Sequence, residues 1–436
     1  MTSETMTPKE RFLAAMRNEV PDRVPVAPDT STYIPTKHTG LPFWEVLMEG
    51  KVPLWQAYLD VADYFGMDAW TAPVMGIPFV RQNVQAEWRS EYVFDKDRDA
   101  MLRKSIAHTP DGDLTQEEVC FRWDPPATSI KLIKDLRMDF KKFKWLFPMA
   151  TGVDASALEV QRNACRKRDY AFGVTVTYPG FQNWNSYVQG GVQTLSYGEM
   201  DSPEILQEWF EWDLERGERE MELTLQAKPD YILFGGSGTV TLASPKLAAK
   251  YAIPALKKWS KMAKIAGIPT MLHSCGKDRI LADMLAADTD VCMINPLEVP
   301  PMGDIDLVQL KRKHGKRLSF MGNLHTTDVM LLGSPEYVKQ KSIEAMRDAG
   351  PGGGFILSTG DQCGRETPEE NLFAIVEAAK KYGRYDPVTG SLPDLPIEDQ
   401  HQKEPISSPK NPDGKKVPAR SSGRISKPLQ RLQPGV

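Results

Sequence analysis

The chain has 436 residues, a formal net charge of −4 and 41% hydrophobic residues, a balance that suits a soluble globular protein with core enough for one large domain or two ordinary ones. That near-neutral charge gives no global signature of nucleic-acid or membrane-surface binding, and no apolar run approaches the roughly 20 residues that span a bilayer. The cysteines, at 120, 165, 275, 292 and 363, are odd in number and follow no secretory leader, so reduced thiols and a cytoplasmic location are expected.

In chain order, the first element is a helix. Thr7-Pro8-Lys9-Glu10 reads as a capping box with proline at the first helical position, and Phe12, Leu13 and Met16 give it one apolar face. Eight short apolar runs follow, at 23–27, 68–73, 172–178, 230–234, 270–273, 290–294, 318–321 and 355–358. Most lack polar alternation, the pattern of strands buried on both faces of a parallel sheet. Helical stretches separate the later ones, at 244–266, 277–286, 306–314, 334–348 and 367–382, the first broken near Pro254. Ser244-Pro245, Ser334-Pro335 and Thr367-Pro368 each set a capping hydroxyl before a proline. The alternation predicts a single α/β domain over 1–394, a (β/α)8 TIM barrel, with a doubly wound open sheet as the alternative. Residues 82–148 fall between the second and third strands and read as a β-hairpin insertion around Thr109-Pro110-Asp111-Gly112. Residues 395–436, rich in Pro, Ser, Lys and Arg, read as a disordered tail.

Candidate chemistry gathers where strands end, since the C-terminal strand ends of a barrel form its active face. His273 closes the fifth strand and Cys275 follows two residues later. At that spacing both side chains can face one side, and imidazole plus thiolate suits zinc. Cys363 lies in a glycine-bounded loop after the eighth strand. A His, Cys, Cys set leaves one tetrahedral position open, as in a catalytic zinc site. The plainer alternative is a small buried cysteine and an ordinary hydrogen-bonded histidine. Asp361 is expected to support His273 from a second shell, or else to cap a turn. Glu298, after the sixth strand, and His325, after the seventh, are candidate catalytic acid–base groups, with a surface ion pair and a loop histidine as the alternatives. Tyr178, Trp184 and Tyr187, in a loop dense in aromatics and amides, are candidate substrate contacts or a packed lid. Gly235-Gly236-Ser237-Gly238 lacks the lysine of a phosphate loop, so close backbone approach competes with phosphate binding there.

Several further pieces stand in order: Lys9-Glu10-Arg11-Phe12 with Pro21-Asp22-Arg23-Val24-Pro25; Ala243-Ser244-Pro245; Asn295-Pro296-Leu297-Glu298; Met321-Gly322-Asn323-Leu324; and Gly333-Ser334-Pro335-Glu336. With His273 to Gly276, they resemble the uroporphyrinogen decarboxylase superfamily over about residues 7–383, and especially its zinc methyltransferase branch, which includes methylcobalamin:coenzyme M methyltransferases. The resemblance implies a corrinoid-dependent methyltransferase with zinc on His273, Cys275 and Cys363. Its substrate would be a thiol or a methoxylated or methylated donor. No Asp-x-His-x-x-Gly stretch occurs, so the corrinoid is expected on a partner protein. True decarboxylases resemble one another in an Arg-Gln-Ala-Gly-Arg-Tyr motif, where this chain has Pro28-Asp29-Thr30-Ser31-Thr32-Tyr33, without the guanidinium groups that suit a substrate of many carboxylates. Many relatives also carry an acidic residue near Gly235–Gly238, and its absence leaves no acid role to carry over there. A metal-free decarboxylase and a non-catalytic corrinoid- or metal-binding barrel are the alternative readings.

Overall fold

A computed structural model describes residues 4–393; the expected tail lies outside the described residues. The first helix, Pro8–Met16, has its full capping box: the Glu10 amide donates to the Thr7 hydroxyl (3.2 Å), and the Thr7 amide donates to the Glu10 carboxylate (2.8 Å). No described helix is long and apolar enough to cross a membrane.

In chain order the strands begin with β1 (Phe79–Val80) and an antiparallel sheet of β2 (Glu87–Asp95), β3 (Ala100–Thr109), β4 (Gly112–Phe121) and β5 (Ala127–Ile130). The expected hairpin is the β3–β4 pair, closed where Thr109 faces Gly112, but it is the centre of a four-stranded meander. Then come β6 (Gly152–Val153), paired with β1, and the main sheet of β7 (Gly173–Thr177), β8 (Tyr231–Gly235), β9 (Thr270–His273), β10 (Met293–Asn295), β11 (Ser319–Leu324) and β12 (Phe355–Thr359). All six are parallel and lie in sequence order.

The first two expected strands are not regular strands. The first survives as a single parallel bridge, Val26 to Leu357 beside β12. The second, 68–73, makes no bridge, the nearest being Gly76 to Thr175 beside β7, and the Asp68 amide ties it to the first, donating to the Val26 carbonyl (2.8 Å). The cause is local. Pro25 and Pro28 have no amide to offer a ladder. Ala69 sits at φ 56°, and residues Ala72–Val74 wind into a 3-10 turn.

Alternation along the parallel strands divides the core in two. Ile232, Phe234, Leu272, Ile294, Phe320 and Leu357 pack in one cluster with the flanking helices. Tyr231, Leu233, Met271, Met293, Met321 and Ile356 form another, with Phe12, Leu13 and Met16 of the first helix. Burial of both faces explains why these strands read as unbroken apolar runs. The helix broken by proline is also found: a π segment, Ala248–Ala252, leads into Ile253–Ile265, with Pro254 in its first turn.

Charges clamp the N-terminal end of the sheet. Buried Arg11 donates to Asp22 (2.7 Å) and Asp68 (2.6 Å), and Arg23 donates to Asp68 (2.7 and 3.0 Å). Asp68 also accepts the Val26 amide (2.8 Å). This tie does for the first two segments what a continuous ladder does elsewhere.

Candidate active site

Because the six strands are parallel, their C-terminal ends share one edge. His273 ends β9 directly opposite Asn295, the last residue of β10, and Leu324 and Thr359 end β11 and β12 as a pair. The His273 ring lies 5.8 Å from the Trp70 ring. Its Nδ1 is 3.3 Å from the Asn295 side-chain nitrogen, and its Nε2 is 3.2 Å from the Cys275 sulfur. The Asn295 side-chain oxygen is buried without a partner. Turned over, that amide would accept from Nδ1–H and fix the tautomer whose Nε2 lone pair faces Cys275.

One ligand atom from each of His273, Cys275 and Asp361 lies within 4.8 Å of the other two, and all three residues are half-buried. Asp361, expected as a supporting residue, thus joins the cluster itself. Cys363 does not. The loop after β12 is fixed by the Gly360 amide donating to the Leu324 carbonyl (2.7 Å) and by the Thr359 hydroxyl donating to the Asp361 carbonyl (2.7 Å). Cys363 then turns toward the first segment, its amide donating to the Asp29 carbonyl (2.8 Å). Burial, then the Asp29 charge, pushes its thiol up to about 12 against the Thr359 and Thr367 hydroxyls. Burial and the nearby Asp361 also raise the Cys275 thiol, against a hydrogen bond with Ser237.

Further acids surround the cluster. Leu297, at φ 67°, is held by the Asn323 side-chain NH2 donating to its carbonyl (3.1 Å) and turns Glu298 back to accept the Gly276 backbone amide. Burial, then Asp361, raises the Glu298 carboxyl, while the Gly276 amide and His325 oppose. His325 accepts the Thr327 and Asp328 amides on Nδ1 (3.1 and 3.0 Å), which leaves the ring proton on Nε2. Asp29, missed in the sequence, is buried at the same edge; burial raises its carboxyl, and Asp361 adds to this while the Ser31 amide and His273 oppose. Its signal was its position just past the first apolar run. Asp278 is fully buried, with no donor at hydrogen-bond geometry on either oxygen. Burial lifts it well above the carboxylate range, although Ser274 lies near enough to pull the other way.

The aromatic loop packs inward. Tyr178 is buried with its hydroxyl 2.7 Å from that of Thr239, and a Cβ on Gly236 would stand 2.7 Å from the same tyrosine oxygen. Gly236 is therefore needed for close packing. Trp184 is fully buried, donates to Asp213 (2.6 Å) and stacks on Trp209 at 5.2 Å. Both were expected as substrate contacts and are core residues instead, because indole and phenol groups that find internal acceptors pack as readily as they line pockets. Tyr187 does line a cavity, of about 160 Å³, beside Thr177 and Arg216; a neighbouring cavity of about 510 Å³ lies between Trp145 and Trp212. Neither is lined by His273, Cys275 or Asp361.

Residues 225–382 match the family described as uroporphyrinogen decarboxylase (URO-D). That stretch holds all the clustered groups except Asp29. The uroporphyrinogen decarboxylase of Coxiella burnetii is 31% identical over 77 residues, 18% of this chain and 21% of that protein. The one from Synechocystis is 28% identical over 140 residues, 32% of this chain and 37% of that protein. The matches therefore span about a fifth to somewhat over a third of these relatives. Among solved structures, a methyltransferase from Methanosarcina mazei superposes with a TM-score of 0.58 at 19% identity, covering 86% of this chain and 99% of that one, which shows a shared fold. The stretch that carries the site, residues 225–382, is thus the part of the chain that resembles the uroporphyrinogen decarboxylase family.

Proposed function

We propose that the chain is a zinc-dependent methyltransferase that moves a methyl group between a small substrate and the cobalt of a corrinoid protein in the cytoplasm. This reading takes residues 1–394 as a closed (β/α)8 barrel with 82–148 as an insertion. The observation that carries it is the cluster of His273, Cys275 and Asp361 at the C-terminal strand edge. Imidazole, thiol and carboxylate together suit zinc, and the Asn295 amide, with its unpartnered oxygen turned to Nδ1, would give a metal-binding imidazole the support it calls for. His273 and Cys275 would hold the ion, with Asp361 or Cys363 from the β12 loop as third ligand. Bound there, zinc supplies Lewis acidity toward a substrate thiol or a methyl-ether oxygen.

The chain's own groups would do the rest. Asn295 orients His273. Glu298, whose carboxyl is raised by burial, and His325, with its proton on Nε2, would give or take the substrate's proton. The test is methyl transfer between cobalamin and a panel of thiols, methoxylated aromatics and methylamines, followed by the cobalamin spectrum. Turnover with one class, reduced about 100-fold or more in Cys275→Ser, is expected. The names of the curated relatives favour a second reading, a metal-free decarboxylase. Carbon dioxide release from uroporphyrinogen, indifferent to Cys275→Ser, would establish it in place of the first.

A further inference from the structure

β2 is the edge strand of the four-stranded sheet, and its outer side is bare. Every residue from Glu87 to Phe94 is exposed, including Trp88 at 44%, Tyr92 at 46% and Phe94 at 43%. Its inner side is laddered to β3 over nine consecutive pairs. On the outer side, no backbone amide or carbonyl of Glu87 to Phe94 meets a partner among the described residues. Protein chains normally guard such an edge with lysine, proline, a bulge or a very short strand. Glu87–Asp95 has no lysine, proline or bulge and is nine residues long, and the one register shift in the sheet lies between β4 and β5. Its charged residues, which on an edge also discourage pairing, alternate in sign from Glu87 through Arg89 to Glu91 and so can be matched by a second copy. The opposite edge is guarded. β5 has four residues, and Gln189 covers it by accepting the Lys131 amide (2.8 Å) and donating to the Ser129 carbonyl (3.4 Å).

We propose that β2 pairs antiparallel with β2 of a second copy of this chain, across a two-fold axis at Ser90, to make one eight-stranded sheet. The sequence of the strand selects both partner and register. Paired strands related by a two-fold axis through the sheet put residues of the same face opposite each other, so the axis must pass through a residue. At Ser90, Arg89 faces the partner's Glu91 and Trp88 faces the partner's Tyr92, and symmetry makes each pair twice. Charged pairs and aromatic pairs directly across a ladder are both stabilising. A shift by one residue sets Arg89 on the partner's Arg89, or Glu91 on the partner's Glu91. A centre at Trp88 sets Arg89 on the partner's Glu87 but leaves only Glu87 to Arg89 of each strand in the ladder. A centre at Tyr92 sets Arg89 against the partner's Asp95, whose carboxylate Arg98 already holds at 2.6 Å. Among the described residues Arg89 reaches only Glu87, at 3.1 Å, and both side chains are largely exposed, so that contact is readily exchanged.

Sedimentation velocity of the full chain tests this. The wild type should be a dimer. Glu91→Arg should weaken association at least about tenfold, because two attractions become two repulsions. The double variant Arg89→Glu/Glu91→Arg should restore the dimer, since the swap regenerates both pairs. Ser90→Cys should form a covalent dimer on mild oxidation, while Thr115→Cys on β4 should not. A monomer at all concentrations, a dimer indifferent to Glu91→Arg, or a Ser90→Cys chain that does not crosslink would each overturn the proposal.

Discussion

The two ends of the parallel sheet treat charge in opposite ways. At the N-terminal end, Arg11 and Arg23 share Asp22, Asp68 and Glu4, and Lys9 pairs with Asp230 ahead of β8. Each buried charge there has an opposite charge in contact. At the C-terminal end, Asp29, Asp278, Glu298 and Asp361 gather with two thiols, and none of the four carboxyls pairs with lysine or arginine among the described residues. Burial raises Asp29, Asp278 and Glu298. One end is built for stability. The other holds uncompensated acid that a cation would relieve, as expected at the C-terminal strand ends where a parallel α/β sheet keeps its chemistry.

The N-terminal clamp depends most on Asp68, which both guanidinium groups share. Asp68→Ala leaves two buried guanidinium groups without their shared partner and should destabilise the chain by about 3–5 kcal/mol in urea unfolding. A loss below about 1 kcal/mol would mean that the clamp is ornamental. The next effect is pH-dependent. Burial works against ionised Asp22, but hydrogen bonds and charge from Arg11 bring its carboxyl down to about 2. The folded carboxyl thus binds its proton less tightly than the unfolded one. Its stabilisation is complete above about pH 4 and is lost as pH falls toward 2, and Asp22→Asn should remove roughly 1–2 kcal/mol at pH 7 and flatten that window. The smallest effect has the opposite sign. Asp278 is raised by burial, so its ionisation opposes folding at neutral pH and not below its ordinary value. Asp278→Asn should therefore stabilise by about 1 kcal/mol at pH 7, with the gain fading by about pH 4. A destabilised variant at pH 7 would show that the carboxyl has a partner at that end after all.

The sheet was legible in the sequence wherever both faces were buried, because unbroken apolar runs bounded by capped helices leave little choice. It was less legible where Pro25, Pro28 and Ala69 interrupt the ladder and an ion network takes over the tie between segments. His273 and Cys275 were readable as a pair fixed by strand geometry. The choice between Asp361 and Cys363 was not, since both stand in one loop and only hydrogen bonds from Thr359 and Gly360 decide which one faces the imidazole. Trp184 misled because its acceptor, Asp213, comes from a helix that composition cannot connect to that loop.

The most direct test of the account is the metal content of the purified full chain, by elemental analysis, alongside Cys275→Ser, Asp361→Asn and Cys363→Ser. About one zinc per chain is expected in the wild type and loss in Cys275→Ser, with whichever of Asp361→Asn and Cys363→Ser also loses the ion naming the third ligand. A wild-type protein purified without chelators that carries no metal, and does not take up added zinc, would contradict it.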